Sequence, residues 1–293
     1  MEQLYSSFSE KLDQLMLSQE LMDDLPRIYI PLAEIINVGF GSRMQVIGVN
    51  GAQGAGKSTF CELLKLVLEE KFGKKVASWS IDDLYLSRKE RTRLSKEVHP
   101  LLMTRGVPGT HDVKLGLEII NSLRNANEST VTMIPRFNKA IDDIYPESQW
   151  TKFVGKPDVV LFDGWCMDAS AQEESELATP VNELEANEDK DGSWRHYVNE
   201  QLKTDYKKLF DTINFLVMLQ VPSYDKVFEW RNLQEEKLRI ASQGKEATHI
   251  MSPDQVRRFI AHYERITRHI LAEMPERADM LFKVNDNHRL YIQ

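Results

Sequence analysis

Residues Gly51-Ala52-Gln53-Gly54-Ala55-Gly56-Lys57-Ser58 spell G-x-x-x-x-G-K-S, directly after the apolar run Met44–Val49 and directly before a stretch of helical spacing, Thr59 to Phe72. Few short motifs restrict a fold so tightly, because this one works only between a strand and a helix. Its glycines let successive backbone N–H groups turn inward onto a chain of phosphates, and the helix adds its positive N-terminal end to the same anion. Lys57 would reach the outer phosphates and Ser58 would hold Mg²⁺. A glycine-rich turn that merely joined strand to helix would leave the Lys and Ser at their fixed positions unexplained. The nucleotide-binding candidates are therefore Gly51, Ala52, Gln53, Gly54, Ala55, Gly56, Lys57, Ser58 and Thr59.

The chain has 293 residues, which suits one elaborated α/β domain better than two. Its 45 acids against 37 bases give a net charge of −8, which repels polyanions and removes the electrostatic footprint of a nucleic-acid binder. A local basic pocket for one small phosphorylated or carboxylated ligand stays compatible with that total. Cys61 and Cys166 form no C-x-x-C pair, so neither a disulfide framework nor a zinc site is expected, and a reducing cytoplasm fits. No basic-then-apolar leader and no apolar window of membrane-spanning length occurs, so no membrane role is expected.

Leu4, Phe8, Leu12, Leu15 and Gln19 recur at helical spacing and predict a packing helix ahead of the nucleotide core. Gly39-Phe40-Gly41-Ser42 reads as the loop leading into the first strand. Lys75–Ile81 predicts a second strand ending at Asp82-Asp83, Val131–Ile134 a third, Val159–Phe162 a fourth ending at Asp163, Ile213–Leu219 a fifth and Asp279–Val284 a last. Between them Ser87–Glu97, Val113–Arg124 capped by Asp112, Trp194–Leu209, Tyr224–Gln243 and Asp254–Met274 read as helices, the last opened by Ser252-Pro253. Glu173 to Asp191 carries eight acids against one lysine and reads as a solvated excursion. Strands alternating with helices call for a parallel sheet covered on both faces, with ligands at the carboxyl ends of the strands.

Asp163 closes a buried strand, where a phosphate-loop protein places a carboxylate that helps hold Mg²⁺. Asp82 and Asp83 lie at the mouth of the neighbouring strand, and either could take a proton from an attacking hydroxyl. Arg105, His111, Arg136 and Lys139 sit in loops near the same crevice and would suit a small anionic ligand. Arg231, Lys237 and Arg239 lie on the stretch after the fifth strand, either as surface partners of Glu235 or as a lid bringing positive charge to a transferring phosphoryl group.

Four runs, Ser80-Ile81-Asp82-Asp83-Leu84-Tyr85-Leu86, Arg105-Gly106-Val107-Pro108-Gly109-Thr110-His111-Asp112, Ile134-Pro135-Arg136-Phe137-Asn138-Lys139 and Asp163-Gly164-Trp165-Cys166, closely resemble the glycerate 3-kinase family. That family belongs to the wider uridine kinase, phosphoribulokinase and pantothenate kinase superfamily, and the resemblance spans roughly residues 44 to 290. It implies a P-loop nucleoside triphosphate hydrolase fold of the α/β class; the residues outside it add an expected N-terminal helical extension over 1–40 ahead of a kinase domain over 41–293 and an acidic insertion around 170–192. It implies ATP and Mg²⁺ as cofactors, and D-glycerate as the leading acceptor, with nucleosides, pantothenate and sugar phosphates as alternatives. Asp82 would be the base; Lys57, Arg231 and Arg239 would serve catalysis; Asp83, Tyr85, Arg105, His111, Arg136 and Lys139 would face the acceptor; Ser58 and Asp163 would hold the metal. Relatives commonly carry Glu at the last position, so the shorter Asp163 would contact the metal through water. A monomer or homodimer is expected.

Two other classes fit less well. A guanine-reading switch needs N-K-x-D, whereas Asn138-Lys139-Ala140-Ile141-Asp142 places the acid one position late. An ATP-driven binding protein would have no need of a hydroxyl-activating acid beside the outer phosphate.

Overall fold

The structure is a computed structural model and describes residues 1–39, 43–242 and 251–292, with the side chains of 234 and 237–242 outside that description. The expected domain boundary at residue 40 and the expected end of a helix at Gln243 lie outside the described residues. The strands are β1 (Gln45–Gly51), β2 (Val76–Ser80), β3 (Val131–Ile134), β4 (Phe137–Asn138), β5 (Asp143–Ile144), β6 (Thr151–Val154), β7 (Val159–Gly164), β8 (Phe215–Gln220), β9 (Met280–Val284) and β10 (Leu290–Tyr291). The α-helices are α1 (Glu2–Gln14), α2 (Ile30–Val38), α3 (Lys57–Phe72), α4 (Arg88–Glu97), α5 (Val113–Asn125), α6 (Glu183–Glu188), α7 (Ser193–Gln201), α8 (Lys207–Phe210), α9 (Tyr224–Ser242), α10 (Pro253–Ala261) and α11 (Glu264–Glu273).

The main sheet runs β2-β7-β1-β8-β9-β10, parallel throughout except for the antiparallel edge strand β10. Every residue of β1 and β7 is buried, as strands covered on both faces must be. Alternate residues point to opposite cores. Ile47, Leu161 and Val217 pack with Leu4, Phe8, Ile36 and Leu64 from α1, α2 and α3. Val46, Val160 and Leu216 pack with Ile119, Val198 and Ile270 from α5, α7 and α11. The parallel register sets Val49 and Ser80 on either side of Asp163, so the loops after β1, β2 and β7 open at one edge.

Four expectations are corrected. β3 is not a strand of the main sheet: it pairs antiparallel with β6 in a separate two-stranded sheet. Its burial alternates, with Thr132 and Ile134 inside and Val131 out, which is the period of a strand covered on one face only. The helix expected over Asp254–Met274 breaks between α10 and α11, where the amides of His262 and Tyr263 bond three residues back to Phe259 and Ile260. The N-terminal helix is shorter than its stripe: α1 ends at Gln14 and Met16 adopts φ 55°, so Leu15 packs partly buried on the same core from just past the helix, and Gln19 is left exposed in a short 3₁₀ turn. The acidic stretch is not wholly solvated. Glu185 and Asp189 are fully buried, Glu185 paired with Arg265 and Asp189 with Arg195, which satisfies charges that would otherwise be costly inside.

Phe8 is fully buried, with its ring 5.4 Å from that of Tyr29. Phe8→Ala is expected to cost about 3–5 kcal/mol of stability through lost burial and a residual cavity. Urea unfolding would read this as a fall in midpoint at constant slope, and a change within about 1 kcal/mol would mean that α1 adds nothing to the core.

Candidate active site

The phosphate loop owes its shape to two glycines in the left-handed region, Gly54 at φ 84° and Gly56 at φ 87°. A Cβ on Gly54 would also stand 3.1 Å from the Cβ of Trp230 on α9. Gly56 occupies the N-cap of α3, and no side chain caps that helix. Lys57 curls back over the loop, its Nζ donating to the carbonyls of Gly51 at 2.7 Å and Ala52 at 3.2 Å. Burial holds the Lys57 ammonium below its ordinary pKa, while Asp163 and Asp82 pull the other way.

A cavity of about 700 Å³ opens over this loop. Gln53, Gly54, Gly56, Lys57, Ser58 and Thr59 form one wall, whereas Gly51, Ala52 and Ala55 lie behind it and shape the loop. Asp163, at the end of β7, reaches the cavity with its Oδ1 accepting from Ser80 Oγ at 3.0 Å. Burial pushes its pKa up to about 6, Lys57 opposes that shift and Asp82 adds to it.

Ser80 also caps the 3₁₀ turn Ile81–Leu84 that carries the acidic pair, and this turn separates the two acids. Asp83 is committed to the backbone: its oxygens accept from the amides of Ser80 and Phe137, both at 3.4 Å. Asp82 turns to the cavity, with Oδ1 accepting from Tyr85 Oη at 2.6 Å and Oδ2 from Lys139 Nζ at 2.7 Å. Burial raises the Asp82 pKa, but the Lys139 ammonium and the two hydrogen bonds outweigh it and hold the group below its ordinary value. Asp83 is held above its ordinary value by burial, against the pull of Arg136.

The hairpin of β4 and β5 supplies the opposite wall. Arg136 leads into it, half-exposed, with its Nε 3.8 Å from Asp83. Arg105 is ion-paired with Asp142 on the hairpin turn and lies over the ring of Phe137 at 5.5 Å. Arg231 pairs with Glu235 one turn along α9 and lies 5.9 Å from the ring of Phe259. Lys237 and Arg239 fall outside the described side chains.

His111 is a correction: it is buried in the wall and does not line the cavity. Its ring stacks 4.7 Å from that of Tyr85, and its Nδ1 lies 2.5 Å from Tyr206 Oη. Burial drives its pKa down to about 4, so it is a neutral support for Tyr85 at physiological pH. Sequence reasoning missed Phe137, Trp165, Phe259 and Tyr263 as walls of this cavity. Tyr263 stands at the break between α10 and α11, donating its hydroxyl to Arg105 O at 2.8 Å, and Trp165 Nε1 donates to Gly106 O at 2.9 Å. Gly106, at φ 127°, presses so close to Tyr263 that a Cβ would stand 2.2 Å from the phenol oxygen. The glycine in that loop is the one local signal that something large sits against it.

No protein-family model matches the chain. An uncharacterized kinase of Schizosaccharomyces pombe is 31% identical to it over 225 residues, covering 74% of this chain and 78% of that protein. The chloroplastic D-glycerate 3-kinase of Arabidopsis thaliana is 29% identical over 232 residues, covering 74% of this chain and 46% of that longer protein. A solved D-glycerate 3-kinase from Cryptococcus neoformans shares the fold with TM-score 0.72, at 24% identity, over 89% of this chain and 95% of that one. Sheet order, phosphate loop and relatives together define a P-loop kinase, a phosphotransferase. Within that class the chain belongs to the glycerate-kinase-like family. Among the described residues no helix is long and apolar enough to cross a membrane.

Proposed function

We propose that this kinase moves the γ-phosphate of ATP to a hydroxyl of D-glycerate. The observation that supports this reading most strongly is the gathering of Asp82 with three cations, Arg105, Arg136 and Lys139, in the same cavity as Lys57 and the phosphate loop. A small acceptor bearing both a carboxylate and a hydroxyl suits such a set, since the cations grip the first while the second turns to the acid. The name of the Arabidopsis relative points the same way.

In this reading the loop amides from Gln53 to Thr59 bind the phosphates, and Lys57 leaves its loop carbonyls for their outer oxygens. Ser58 and Asp163, hard oxygen donors beside the loop, would hold Mg²⁺. Among the described residues no cluster of three metal-ligating side chains exists, which suits an ion carried in on phosphates. Bound there, Mg²⁺ would neutralise charge on the β- and γ-oxygens. Asp82 takes the hydroxyl proton as the acceptor oxygen bonds to the γ-phosphorus; the bond from that phosphorus to the bridging oxygen breaks, and ADP leaves with the electron pair. Arg231 offers charge from the lid side, and Arg239 is assigned the same role from its place on α9. The two free, buried cysteines fit a reducing compartment such as the cytoplasm.

Arg136→Ala is expected to raise KM for D-glycerate about tenfold or more, the loss of one charge-assisted contact, with KM for ATP unchanged. An unchanged glycerate KM would take Arg136 out of the acceptor site. The reading itself is tested by coupled ADP release with MgATP against D-glycerate, L-glycerate, uridine, pantothenate, ribulose 5-phosphate and no acceptor. Stimulation by D-glycerate alone supports it, and stimulation by another member of the panel instead reassigns the acceptor.

A further inference from the structure

We infer that Lys139 is a gate on the catalytic base, pairing with Asp82 until the carboxylate of an anionic acceptor draws it away. The inference rests on the glycerate reading above and adds to it a means of refusing water and neutral alcohols.

Both oxygens of Asp82 are engaged from different elements. Tyr85 is buried and sits three residues along the same turn, so its bond to Oδ1 persists as a fixture of the fold. Lys139 is different. It projects from the hairpin of β4 and β5 with its side chain 60% exposed, and it covers Oδ2 at 2.7 Å. Oδ2 is therefore the oxygen that can be uncovered to take a proton. Only the lysine end of this pair is exposed, and its ammonium rides on a long flexible stem, so it can turn from Asp82 to a second carboxylate offered beside it.

The surrounding charges favour that exchange only when an anion arrives. Asp82 is faced by Lys57 from α3, by Asp163 from β7, by Asp83 beside it and by Lys139. Removing Lys139 from Oδ2 with nothing in return would leave Asp82 and Asp163 sharing the one buried ammonium of Lys57, while Arg136 stays with Asp83. An acceptor carboxylate seated between Arg136 and Arg105 gives Lys139 a new partner and uncovers the base in the same movement. Water and glycerol bring no such partner, so with them Lys139 stays on Asp82. Lys139 is then a specificity-determining residue as well as a contact.

The test uses the whole chain and the variant Lys139→Met, which keeps the side-chain length and removes the charge. ADP release is measured with MgATP alone, with D-glycerate and with glycerol, which carries hydroxyls and no carboxylate. Wild type is expected to respond to D-glycerate only. Lys139→Met is expected to lose about tenfold or more in kcat/KM for D-glycerate, and to gain roughly threefold or more in ADP release without acceptor and with glycerol. Adding Asp82→Asn to it should abolish the gain, because the gain runs through the uncovered base. A lysine that only binds the acceptor carboxylate gives the loss without the gain, and that result overturns the gate, as does a gain that survives Asp82→Asn. Wild type indifferent to D-glycerate removes the functional reading and the gate with it. Wild type active on D-glycerate beside a Lys139→Met variant with no gain removes the gate alone.

Discussion

Asp82→Asn is expected to lower kcat by on the order of 10³-fold, about 4 kcal/mol of transition-state stabilisation, while nucleotide affinity stays within about twofold. The asymmetry follows from geometry. Asp82 follows β2, held by Tyr85 and Lys139, in the part of the cavity proposed for the acceptor, whereas the phosphate loop of residues 51–59 runs from the end of β1 into α3. The amide keeps the shape and the hydrogen bond from Tyr85 but cannot take a proton. Single-turnover kinetics with a separate nucleotide-binding titration would check this. Near-normal turnover would deny Asp82 the base role, and Asp83 would be a poor heir because both of its oxygens already accept backbone amides.

Lys57→Ala is expected to reduce kcat/KM by on the order of 10³-fold or more, since it removes the ammonium proposed to meet the transferring phosphoryl group, from a site where charge is poorly screened. The fold should survive intact. Among the described residues Lys57 bonds only to two carbonyls of its own loop, and burial already disfavours its charged form, so its loss removes a desolvated charge. A thermal midpoint within a few degrees of wild type, beside the collapse in turnover, separates a lost contact from a lost fold. Full turnover in this variant would remove the phosphate-loop claim.

The phosphate-loop wall of the cavity was legible in the sequence because its determinants are local. The loop residues follow one another, Asp163 ends an unbroken apolar strand, and Ser80 with Asp83 forms a capping box over four consecutive positions. The opposite wall depends on contacts distant in sequence. Tyr263 meets Arg105 across 158 positions, and Lys139 meets Asp82 across 57, with no periodicity to announce either. His111 was misplaced because residue type says nothing of burial; it sits in the wall under Tyr85. The acidic stretch misled for the same reason, since composition cannot reveal that Arg195 and Arg265 are folded over Asp189 and Glu185. Val131–Ile134 was read correctly as a strand, but the partner that keeps it out of the main sheet, β6, lies beyond a hairpin too short to leave a sequence signal.

The central claim is that the γ-phosphate reaches an acceptor hydroxyl and not water. Phosphorus-31 NMR of the reaction with MgATP and D-glycerate tests that most directly. The account predicts a new phosphomonoester resonance, coupled to the protons of the esterified carbon and growing in step with ADP. Inorganic phosphate growing in step with ADP, with no ester, would contradict it.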